Sequence, residues 1–65
     1  MVQFNRKKPN GNIYWILGAA IAELKRDGKE NDAQRMCDRV YQSGSYETAL
    51  AIIGEYVELV EVRHG

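Results

Sequence analysis

The sequence predicts a mainly α, compact three-helix domain with short β-strands allowed at the two ends, and three observations carry that expectation. Apolar residues recur at helical spacing in three blocks. Residues that stop and start helices separate the blocks. Val2 and Phe4 alternate with polar Gln3 and Asn5 at one end, and Val60 and Val62 alternate with Glu61 and Arg63 at the other.

The chain has 65 residues, room for one compact unit: residues 1–12 read as a basic segment with a strand and a turn, and residues 13–63 as the helical core. So short a chain hides only about 60% of the surface its unfolded form exposes. Ordering each residue costs about 1.5 kcal/mol, so small domains need a disulfide, a metal or a second subunit in addition to their core. Cys37 is the single cysteine and His64 the single histidine, which excludes an internal disulfide and any zinc-type ligand set. Subunit association is the remaining support, and a homo-oligomer is expected. A lone thiol fits a reducing compartment, hence the cytoplasm.

The helices are predicted from their ends inward. Pro9-Asn10-Gly11 is turn chemistry, with Gly11 free to take a positive φ, and Asn12 is an N-cap. Helix one runs from Ile13 to Asp27 and stops at Gly28 in the left-handed C′ position. Helix two runs from Asp32 to Gln42, with Asn31 as cap and Gln34 completing a capping box. Its one-sided face is Ala33, Met36, Cys37, Val40 and Tyr41. Gly44 reads as a C′ glycine directly before the N-cap Ser45, a tight corner that makes helices two and three packed neighbours. Helix three starts at Tyr46 and shows Ala49, Leu50, Ile53 and Val57 on one face, and a short terminal strand is allowed to pair with Val2 and Phe4.

Helix one has more apolar surface than a core needs. Ile13, Leu17, Ala20, Ile21 and Leu24 form a core face, while Trp15, Gly18, Ala19 and Ala22 form a second strip flanked by Ile16. That strip is expected to meet another copy of the chain, with Gly18 and Ala22 letting two helix backbones approach. The competing expectation is that one of the chain's own ends folds over it.

Formal charge is zero overall but unevenly placed. Residues 1–29 carry six bases against two acids, and residues 30–65 carry three bases against seven acids, so the halves stand at +4 and −4. Such a layout permits an anion site at one end or complementary pairing between subunits. Arg6, Lys7 and Lys8 precede the Pro9-Asn10-Gly11-Asn12 turn, whose following helix offers unpaired amides and a positive dipole end. With Trp15, these residues are the candidate site for a nucleotide-like anion, and Tyr14 or Phe4 are further rings for stacking on a base. The alternative for the same residues is an ordinary turn and helix cap. Helix three presents Glu47, Glu55 and Glu58 with no base between them, which argues against a DNA-reading helix. Nucleic-acid contact would have to come from the basic half.

Catalysis is not expected. No nucleophile has a base placed beside it, Cys37 lies on a packing face, and Glu55, Glu58 and Glu61 read as a solvated edge. No cofactor is implied. Arg6-Lys7-Lys8 before the uncharged run Ile13–Ala22 imitates a secretory leader, yet the turn interrupts it, and ten uncharged residues fall short of the ~20 that span a bilayer.

Gly11-Asn12-Ile13-Tyr14 leading through Ile16-Leu17-Gly18, the Ser43-Gly44-Ser45-Tyr46 corner with Leu50 after it, and Tyr56-Val57 near the end form a recurring pattern. In these segments, over about residues 10–60, the chain resembles small, mostly uncharacterised proteins encoded by phages and prophages. The resemblance implies a non-enzymatic accessory protein of the bacterial host cell, compact and oligomeric, that counters a host function such as defence. It would do so by sequestering a small anionic ligand at a subunit junction or by docking on a host protein.

Overall fold

The structure is a computed structural model that describes residues 1–63. Its elements are β1 (Val2–Phe4), α1 (Ile13–Arg26), α2 (Glu30–Gln42), α3 (Tyr46–Gly54) and β2 (Leu59–Glu61), with a single 3-10 turn over Pro9–Gly11. The expected three-helix, mainly α architecture is present. The two ends do pair, as a parallel two-stranded sheet in the register Val2↔Leu59, Gln3↔Val60 and Phe4↔Glu61. Parallel strands need a long crossover, and here all three helices form it. Val2 N–H donates to the Glu58 carbonyl at 2.8 Å and Val62 N–H to the Phe4 carbonyl at 2.7 Å.

Each helix end has a local cause. The Asn12 side chain accepts from Tyr14 N–H and opens α1. At the far end Gly28 takes φ +74°, its N–H donates to the Lys25 carbonyl, and Lys29 N–H donates to the Leu24 carbonyl. Those two bonds are the paired closure of a Schellman motif. Lys29 is thereby both the last residue of that closure and the N-cap of α2, so α2 begins at Glu30, two residues earlier than expected. The predicted Asn31–Gln34 capping box therefore does not form, and Gln34 Nε2 donates to Asp38 Oδ1 instead. Ser45 caps α3 as expected, accepting from Thr48 N–H. Gly44 differs from expectation: among the described residues only Gly28 has a positive φ, and α2 closes on Ser43, whose N–H and Oγ both donate to the Val40 carbonyl. α3 stops at Gly54, before Val57, where Glu55 N–H and Tyr56 N–H tighten onto the carbonyls three residues back, Ile52 and Ile53.

The core joins β1, the three helices and the segment after α3. Ile16, Met36 and Ile53 are fully buried at its centre, with Val2, Phe4, Leu17, Ala20, Leu24 and Leu50 around them. The buried stripe of α1 is rotated from the expected one. Ile16, assigned to the flank of the outer strip, is in the core, while Ile13 and Ile21 are only half-buried. The reason is that β1 packs against α1 beside α2 and α3 and covers an arc that helices alone would leave open. Ala19 likewise packs against the core. Tyr41, expected on the inner face of α2, is 67% exposed in the last turn of that helix.

Candidate functional site

The amino-terminal turn is a fastening. Asn10 Oδ1 accepts from Asn5 N–H at 2.9 Å, Asn5 Oδ1 accepts from Lys7 N–H at 2.9 Å, and Asn12 Oδ1 is taken by its cap bond. The Gly11 carbonyl accepts from the Tyr46 hydroxyl at the start of α3. Gly11 is buried, and any Cβ there would lie 2.4 Å from the Asn5 carbonyl oxygen and 2.6 Å from Arg6 Cα. Its glycine thus answers a close approach of two backbones, and not the positive φ expected of it.

Arg6 belongs to the same fastening. Its guanidinium pairs with Glu47 on α3 and, at 3.1 Å, with Glu61 on β2, and it lies 5.4 Å from the centre of the Tyr46 ring. The hydrogen bond to Glu47 raises its pKa above the usual arginine value, and the same bond lowers the Glu47 carboxyl. The basic first half and the acidic second half of the chain therefore pair here within one protomer. Of the seven residues proposed for an anion, Arg6, Asn10, Gly11 and Asn12 make internal contacts, and Lys7, Lys8 and Trp15 remain exposed at the surface. Neither Lys7 nor Lys8 has a side-chain ion pair among the described residues. Phe4 is buried and cannot stack on a ligand.

The outer face of α1 has the opposite character. Among the described residues, neither terminal segment covers it. Trp15 is 47% exposed, Tyr14 is 66% exposed, and Gly18 and Ala22 are exposed beside them. Gly18 sits in mid-helix with nothing within 4 Å of where a Cβ would be. A glycine in that position weakens a helix by about 0.5–1 kcal/mol relative to alanine. Neither backbone geometry nor packing within the protomer asks for it.

A cleft of about 270 Å³ opens next to this face, between the first turn of α1 and the corner joining α2 to α3. Ile13, Val40 and Ala49 line it with the rings of Tyr14, Tyr41 and Tyr46, and no charged residue is among its walls. The cleft is not legible in the sequence because Tyr41 falls on the apolar spacing of α2, and nothing local shows that this ring stays outside the core. Cys37 is half-buried, and burial followed by the nearby Asp38 raises its pKa, so the thiol is poorly nucleophilic. Among the described residues no three metal-binding side chains cluster, and no helix is long and apolar enough to cross a membrane. His64 lies outside the described residues.

Comparison with protein-family models, with curated proteins and with solved structures returns no match to this chain.

Proposed function

We propose that this protein is a non-enzymatic binding protein whose working surface is the outer face of α1, and that it acts as a homo-oligomer. The observation that carries the reading is the mid-helix Gly18, which weakens its own helix, lying open between Trp15 and Ala22. The motif pattern supplies the setting: a phage or prophage accessory protein in the host cytoplasm that counters a host function. In the capture form of this reading, Lys7, Lys8 and Trp15 hold a nucleotide-type anion at a junction between subunits. A second reading, docking of the same face on a host protein, is favoured by the internal engagement of Arg6, Asn10 and Asn12.

A thermal-shift panel with mono-, di- and cyclic nucleotides tests the capture form, because a ligand that binds only the folded state raises the melting temperature with concentration. The expected result is a rise that Lys7→Ala with Lys8→Ala abolishes. No rise with any nucleotide overturns capture and leaves protein docking.

A further inference from the structure

We infer that α1 pairs antiparallel with α1 of a second copy about a two-fold axis at Gly18, seating Trp15 of each copy against Ala22 of the other and Lys25 of each beside the other's Tyr14. This rests on the outer-face reading above and names its occupant.

The two halves of the face are complementary to each other. At 100° per residue, Tyr14, Trp15, Ala22 and Lys25 all fall within about 60° of Gly18. At about 1.5 Å per residue, Trp15 lies about 4.5 Å to one side of Gly18 and Ala22 about 6 Å to the other, so a two-fold at Gly18 sets a large ring opposite a methyl group. The same operation brings Lys25, about 10.5 Å from the axis, to within about 4.5 Å of the level of the facing Tyr14, which a lysine side chain spans. Tyr14 is exposed, Lys25 is exposed without an ion pair among the described residues, and a cation over a tyrosine face is attractive. An isologous contact requires such self-complementarity, with each residue pair made twice, whereas a foreign partner would not require bulk and notch to match along one helix.

The area fits a weak contact. Aromatic side chains bury about 150–250 Å² each, so the exposed parts of Tyr14 and Trp15 offer roughly 250 Å² per copy. That is about a third of the ~800 Å² per partner in a standard interface. Gly18, Ala22, half-buried Ile21 and the stem of Lys25 extend it. A dimer in the micromolar range is expected, not an obligate one.

The test combines light scattering of the native chain from 5 µM to 1 mM, as on the order of the expected dissociation constant, with disulfide trapping in a Cys37→Ser background. The expected result is a concentration-dependent doubling of mass. Oxidation should link Gly18→Cys chains to each other and leave Ala22→Cys chains unlinked, since two copies of position 22 lie about 12 Å apart along the antiparallel axis. Linking of both variants would overturn the antiparallel register and leave self-association standing. A strict monomer to 1 mM would overturn self-association, leaving the outer face to another partner. Should Gly18→Cys fail to fold by circular dichroism, Lys25→Glu on the surface decides the register. Antiparallel pairing predicts at least fivefold weaker dimerisation, and an unchanged or tighter dimer overturns it.

Discussion

Replacing Gly11 by alanine isolates the close approach on which the amino-terminal fastening depends. The added methyl group would lie 2.4 Å from the Asn5 carbonyl oxygen and 2.6 Å from Arg6 Cα, both backbone atoms that no side-chain rotation can clear. The 5–12 segment must move, and the Tyr46 hydroxyl bond to Gly11 and the Asn10 bond to Asn5 N–H move with it. Overpacking of this kind costs about 1–3 kcal/mol, and the coupled bonds place Gly11→Ala in the upper half of that range. A 65-residue domain has about 3–10 kcal/mol in total at the usual 0.05–0.15 kcal/mol per residue. A loss of about 2–3 kcal/mol should therefore lower Tm by roughly 8–24 °C. Far-ultraviolet circular dichroism through a thermal and a urea transition reads the change, with Gly44→Ala as the control. Gly44 has open space at its Cβ position and no positive φ, so alanine there should stabilise by about 0.4–1 kcal/mol. A Gly11→Ala protein within about 0.5 kcal/mol of the parent, the usual range for surface changes, would refute the close-approach argument.

Three further outcomes follow from the same contacts. Phe4→Ala should cost about 3–5 kcal/mol by leaving a cavity where β1 meets α1, with a larger fall in the thermal midpoint by circular dichroism than that of Gly11→Ala. Ser45→Ala should cost about 1 kcal/mol through loss of the α3 cap, read from the urea midpoint at unchanged slope. Glu47 and Glu55 are held below their usual carboxyl value of 4.5, first by hydrogen bonds from Arg6 and Arg39 respectively. The folded state thus releases these protons more readily than the unfolded chain. The pairs' stabilisation is complete above about pH 4.5 and is lost as pH falls through the lowered folded values. Urea midpoints at pH 6 and pH 3 should show a modest fall that Glu47→Gln with Glu55→Gln reduces, and an equal fall in the variant would remove these pairs as its source.

Much of the scaffold was legible because its signals are local. An Asn cap, a left-handed glycine and a Ser cap act within four residues, so Asn12, Gly28 and Ser45 announce the helix ends they form. The candidate site was less legible. Arg6 reads as an anion-binding base until Glu47 and Glu61, 41 and 55 residues further on in the sequence, are brought to it. Asn10 and Gly11 read as a solvent turn until Asn5 and Tyr46 close on them.

Sequence alone determined the helical class, the uneven charge and the apolar excess of α1, and it allowed the terminal segments to pair without requiring it; the parallel pairing itself came with the tertiary structure. Tertiary structure decided which arc of α1 that excess occupies. Burial depends on what arrives from far along the chain, and the docking of β1 drew Ile16 inward while leaving Trp15, Gly18 and Ala22 exposed to water. Periodicity counts the apolar residues on a helix, and only the assembled neighbours settle which of them lose contact with solvent.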